Sequence, residues 1–151
     1  MGLDMYLSKK IYIGAEYEHR KVAGKIIITV NGKKVPVNFR KVSEIVERVA
    51  YWRKANQIHA WFIKNCQDGR DECQESHVSR DQLKELLADC KKVKKSKKVA
   101  KEVSPPTSGF FFGNTNIDEY YMEDIDYTIK VLKEILADKE DESDYYYRAS
   151  W

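Results

Sequence analysis

Tyr51-Trp52-Arg53-Lys54-Ala55-Asn56-Gln57-Ile58-His59-Ala60-Trp61-Phe62 is the stretch on which the reading of this chain turns. Taken as a helix, it belongs to a long one. Ser43 caps the start, with Glu44 and Glu47 near the positive end of the helix dipole. Ile45, Val49, Trp52 and Ile63 recur on one face, with Ala55 and Phe62 on its flank, and the helix is expected to reach about Asn65. On that wheel Trp52 and Asn56 lie about 20° either side of the Ile45–Ile63 line, and His59 lies about 40° away. Two polar side chains therefore interrupt an apolar stripe. Their i,i+3 spacing lets both reach one point. A general acid–base histidine oriented by an asparagine has this pattern, which makes His59 and Asn56 the candidate catalytic pair. The plainer reading is a pair satisfied by a neighbouring sheet or a buried water.

Upstream, Met1–Leu7 reads as a buried strand and 11–17 as a second strand or an irregular loop. Gly24–Val30 is a dense β-branched run. Asn31-Gly32 follows, the residues a type I′ hairpin turn requires. Val35, Val37 and Phe39 alternate with polar neighbours on the returning strand, and Pro36 suits an edge. Downstream, 67–71 is a polar loop, and Ser79-Arg80-Asp81-Gln82 is a capping box. Leu83, Leu86, Leu87, Cys90 and Val93 form the stripe of a second helix, which runs into the lysine-rich segment Lys91–Lys101. Ser104-Pro105-Pro106-Thr107 breaks it, so 91–107 reads as a helix end and connector within one domain, 1–151. Phe110–Phe112 reads as a strand. A third helix is expected from about Asp118 to Asp138, with Tyr121, Ile125, Ile129, Leu132 and Leu136 inward. Tyr145–Trp151 closes the chain as a strand. The predicted fold is α+β: a mainly antiparallel sheet, which includes the 26–39 hairpin, packed against two or three helices in a single layer.

The bulk properties narrow the partners. A chain of 151 residues buries a core without metals or disulfides. Net charge is +3, but 1–101 carries 23 Lys and Arg against 12 Asp and Glu, while 102–151 carries 4 against 12. The two parts either neutralise each other on packing or leave a basic face for an anionic partner. Three cysteines, an odd count without a signal-type N-terminus, predict reduced thiols and a cytoplasmic location. No segment approaches the ~18 apolar residues of a membrane span. Met1-Gly2 lacks the Ser or Thr at position 6 that myristoylation requires.

Four motifs then resemble a known group. Met1-Gly2-Leu3-Asp4-Met5-Tyr6-Leu7, Tyr51-Trp52-Arg53-Lys54-Ala55-Asn56, Gly109-Phe110-Phe111-Phe112-Gly113 and the closing Tyr146-Tyr147-Arg148-Ala149-Ser150-Trp151 resemble a family of small uncharacterised phage and prophage proteins. The resemblance covers nearly the whole chain. It implies a stand-alone accessory protein working in a bacterial host's cytosol, and it carries over no activity and no catalytic residue.

The remaining chemistry is sparse. Phosphate-binding glycine loops and the G-x-S-x-G elbow are absent. Cys66, Cys73, His77 and Cys90 lack a zinc-knuckle spacing, so no metal and no cofactor are expected. A Cys73–His59–Asp71 set can be written down, as it can for many chains. The acidic residues 118–126 suit a helix start. Aromatics beside arginines suit nucleotide recognition. That makes Trp52, Arg53, Asn56, His59, Phe111, Tyr121, Tyr147 and Arg148 the expected ligand-binding set. The function expected is an accessory binding protein for a host protein or a small anionic ligand, in its most concrete form one that sequesters a nucleotide signal. The alternatives are a small nucleotide-directed hydrolase or transferase using His59, and a nonspecific nucleic-acid binder using Lys91–Lys101.

Overall fold

Two long antiparallel strands, β1 (Asp4–Tyr12) and β4 (Glu44–Arg53), frame the molecule, in a computed structural model that describes residues 2–109 and 112–151. The closing strand β6 (Asp144–Ser150) pairs with the other edge of β1, and the short β5 (Ser76–Val78) pairs with β6, giving the antiparallel order β4-β1-β6-β5. The fold is α+β, as the sequence predicts.

The expected helix from Ser43 is half wrong. Residues 44–53 are strand, and the helix α1 spans only Asn56–Cys66. The Ser43 carbonyl does not start a helix; it accepts from the N–H groups of Ile13 and Gly14 at 2.9 and 2.8 Å. The reason for the misreading is local. Ala50 and Trp52 are buried while Tyr51 and Arg53 are exposed, which is strand alternation. A register shift between Leu7 and Ser8 pairs Leu7 with Ala50 but Ser8 with Arg48. Val49 is the extra residue of this β-bulge. It breaks the two-residue period, so Ile45, Val49 and Trp52 mimic a helical stripe.

The 26–39 hairpin is also displaced from its expected place in the main sheet. Strands β2 (Ile28–Val30) and β3 (Lys33–Val35) form a separate two-stranded sheet in the connection between β1 and β4, and every residue in them is exposed. Its turn is as expected: Asn31 and Gly32 have φ of 49° and 75°, the two left-handed positions of type I′. The sheet position it was expected to fill is taken by β1 and β4, which pair directly.

Helix α2 (Arg80–Val93) begins with the full Ser79–Gln82 capping box and ends three residues before α3 (Lys97–Val103). The lysine tract is thus two helices with a break at 94–96, not one helix end. The 104–107 segment breaks α3 as expected. Helix α4 (Glu119–Ala137) starts on Asp118, whose side chain accepts from the Tyr121 N–H. The expected strand at 110–112 falls mostly on Phe110 and Phe111, which lie outside the described residues; Phe112 is in a bend. Strand β5, short and polar, has no sequence signal.

The helices cover one face of the sheet. Leu3, Met5, Leu7, Ala50, Trp52, Tyr145, Tyr147 and Ala149 meet Ile58 and Phe62 of α1, Leu83 and Leu86 of α2, and Ile125 and Leu132 of α4 in one buried cluster. Trp52 donates from Nε1 to the Thr128 hydroxyl at 2.9 Å, which locks β4 to α4. No helix among the described residues is long and apolar enough to cross a membrane.

Candidate functional site

The turn from β4 into α1 builds the site. Lys54 adopts φ 58°, a left-handed conformation that costs a lysine roughly 1 kcal/mol. That single reversal converts strand into helix and leaves Arg53 and Lys54 side by side at the strand end. Ala55 precedes the helix, and no side chain caps it. The backbone takes up part of that role: the Asn56 N–H donates to the Lys54 carbonyl at 2.9 Å and the Ile58 N–H to the Ala55 carbonyl at 3.1 Å.

Asn56, the first helical residue, is a clamp. Its amide nitrogen donates to the carbonyls of Phe112 and Asn114, both at 2.9 Å, and its side-chain oxygen accepts from the Thr107 N–H at 2.9 Å. These bonds hold the backbone of Thr107, Phe112 and Asn114 against the helix start. Gln57, also buried, donates to the Tyr121 carbonyl and to Asp124 at 3.5 and 3.4 Å. Burial pushes the Asp124 carboxyl up to about 6, against the Gln57 hydrogen bond and with help from Glu123 and Asp118.

Together these groups line a cleft of about 240 Å³ whose walls include Arg53, Lys54, Gln57, Asn114, Asn116 and Tyr120. Gly113, at φ 84°, packs its Cα against Lys54, where an added Cβ would stand 3.3 Å from the Lys54 Cβ. Gly2 approaches Lys54 and Arg53 from the other strand, with an added Cβ at 3.5 Å from Cε of Lys54. Tyr120 is 71% exposed and presents a free ring. Neither Arg53 nor Lys54 has an ion-pair partner among the described residues.

One turn along α1, His59 occupies a different environment. It is 1% exposed, and both ring nitrogens are taken. Nδ1 lies 2.7 Å from the Tyr147 hydroxyl, and Nε2 lies 3.0 Å from Oδ2 of Asp71. With Asp71 ionised, Nε2 carries the proton and Nδ1 accepts from the tyrosine. Trp151 Nε1 donates to the second Asp71 oxygen at 3.0 Å. Tyr147 stacks on Phe62 at 3.9 Å, and burial holds its hydroxyl well above the usual phenol range. The ring of Phe112 stands edge-on to His59.

The expected site residues therefore separate. Arg53 and Asn56 meet at the cleft, Arg53 as a free cation and Asn56 as a structural clamp. Tyr121 contributes to the same wall, but its hydroxyl is committed to the Ser104 carbonyl at 2.7 Å, and burial pushes it up to about 12. Trp52 is core. His59 and Tyr147 join each other, not Asn56, so the pair expected to converge on one point diverges. Arg148 lies on the opposite face of the sheet from Tyr147, as strand alternation requires. Phe111 lies outside the described residues. Asp71 was legible only as one member of an unspecific set, and Lys54, Asn114 and Asn116 carried no sequence signal. Among the described residues no group of three or more His, Cys, Asp or Glu is arranged to hold a metal ion. Comparison with known proteins finds no matching family model, no matching curated protein and no matching solved structure.

Proposed function

We propose that this protein binds a small anionic ligand, a phosphate-bearing nucleotide or a fragment of one, in the Arg53–Lys54 cleft, and acts by sequestering it in the manner of a phage accessory protein. The observation that carries this reading is the adjacent pair of cations, Arg53 and Lys54, without ion-pair partners among the described residues at the start of α1. The helix dipole favours an anion at that end. Arg53 supplies a planar fork for phosphate oxygens and Lys54 a point charge. Tyr120 offers an exposed ring on which a base stacks. The cleft suits one phosphate and a flat group better than an extended chain. Two of the four stretches on which the family resemblance rests contribute residues to this cleft, Arg53, Lys54 and Asn56 from the one and Gly113 from the other, although they are distant in sequence.

The reading favours binding over catalysis. His59, the acid–base candidate, is closed over and hydrogen-bonded at both nitrogens, and Asn56 has its amide donors and its oxygen committed to the backbone.

Titration calorimetry with nucleoside monophosphates, cyclic nucleotides and inorganic phosphate tests the proposal. Saturable binding is expected for at least one nucleotide. Arg53→Gln and Lys54→Gln are each expected to weaken it about tenfold or more, as loss of a charge-assisted contact does. Binding that ignores both substitutions, or no binding of any of these anions, rejects the cleft.

A further inference from the structure

The sheet face turned away from the helices carries an ordered pattern of its own. Across one row, Tyr51 of β4, Tyr6 of β1 and Arg148 of β6 are direct neighbours. Across the next, Arg48, Ser8, Tyr146 and His77 follow one another. Tyr6 and Tyr51 lie 5.5 Å apart, tilted by 32°. The Arg48 guanidinium stands 4.1 Å over Tyr6, and the Lys10 ammonium 4.3 Å over Tyr146. The bulge at Val49 creates this pattern. Without the extra residue, simple alternation would turn position 48 toward the helices; with it, Arg48 reaches the open face.

This face carries acids as well as cations. Three of its acids have neighbours: Asp4 accepts from the Tyr51 hydroxyl at 2.5 Å, Glu75 pairs with Lys10 at 2.6 Å, and Asp144 lies 3.6 Å from His77, while Glu44, opposite Tyr12 at the far end of the face, has no ion-pair partner among the described residues. Arg48 and Arg148, in the middle of the face, have no ion-pair partner among the described residues. Arg48 and Arg148 flank a shallow groove of about 330 Å³ with Tyr6, Ser8, Glu75 and Ser150 on its walls.

We infer that this open face binds single-stranded nucleic acid. Rings on a sheet, staggered over two rows, accept successive unstacked bases once Arg48 and Lys10 swing from over Tyr6 and Tyr146 to the phosphates, because every base has a flat face whatever its identity. Arginines between the rings neutralise the phosphates that follow. A duplex hides its bases and cannot use the rings. The surface is separate from the proposed anion cleft, and Arg48, Arg148, Tyr6 and Tyr146 take no part in the latter.

Fluorescence anisotropy with a short labelled oligothymidylate, and with the same strand annealed to its complement, tests the inference across a salt series. The single strand is expected to bind more tightly than the duplex. Arg48→Gln combined with Arg148→Gln is expected to weaken it at least tenfold and to flatten the log–log salt slope by about 1.4, at ~0.7 per lost phosphate contact. Tyr146→Leu is expected to weaken it about fivefold or more with the slope unchanged. Melting temperatures are followed alongside; both arginines are exposed, so the arginine pair decides the matter even if the tyrosine variant folds poorly. No binding at low salt, a preference for duplex, or indifference to the arginine pair overturns the inference. So does loss of binding only when Lys94, Lys95, Lys97 and Lys98 become Gln, which would assign it to the lysine tract. A change in sedimentation without a change in anisotropy would make the face a self-interface and overturn it as well.

Discussion

His59 Nδ1 accepts a hydrogen bond from the Tyr147 hydroxyl at 2.7 Å, joining α1 to the closing strand across 88 residues of sequence. With Asp71 on its other nitrogen at 3.0 Å, the ring ties three separate segments together inside the core.

His59→Ala is therefore expected to destabilise the protein by about 3 kcal/mol, from a cavity and two stranded polar partners. Tyr147→Phe keeps the stack on Phe62 and is expected to cost less, about 1–2 kcal/mol. Urea unfolding measures both. An unchanged midpoint for His59→Ala, together with a lost activity, would return the histidine to catalysis.

Lys54 carries opposed demands. Its φ of 58° is unfavourable for any residue with a Cβ, while its ammonium serves the proposed cleft. Lys54→Gly is expected to stabilise the fold by roughly 0.5–1 kcal/mol and at the same time to weaken anion binding. Paired thermal unfolding and calorimetry check this. A destabilised glycine variant would show that the turn is held by contacts of the lysine stem instead.

Asp124 titrates at about 6 because it is half-buried between α4 and Gln57. A carboxyl whose folded value is raised holds its proton more tightly when folded. Its effect is nil below its ordinary value of 3.8, and it costs stability progressively as pH rises through about 6. Allowing for partial exposure, the penalty at neutral pH is about 1 kcal/mol. Asp124→Asn, which keeps a partner for Gln57, is expected to match the parent below pH ~4 and to exceed its stability above pH ~6. Unfolding curves at both ends test the crossover; parallel profiles would rule it out.

Burial pushes the thiols of Cys66 and Cys90 up to about 12, while Cys73 is half-buried in a loop at φ 57°. A thiol-specific disulfide reagent is expected to modify Cys73 first in the native protein and all three cysteines after denaturation. Fast modification of Cys90 would show that α2 opens readily.

Short-range chemistry was legible in the sequence. Asn31-Gly32 reads as a type I′ turn because only residues tolerant of positive φ fit it. Ser79 and Gln82 read as a capping box because both bonds close within four residues. The α4 stripe and the closing strand follow from periods of 3.6 and 2. Tertiary structure alone decided the rest. Residues 44–53 became strand because β1 offered them a ladder of hydrogen bonds, and the bulge at Val49 hid the two-residue period that would have revealed it. The meeting of His59 with Asp71 and Tyr147, and the clamp of Asn56 on the backbone of Thr107, Phe112 and Asn114, depend on segments far apart in sequence. No local preference encodes such contacts; they exist only because packing one face of the sheet against α1, α2 and α4 brings these segments together and leaves their buried polar groups no water to bond to.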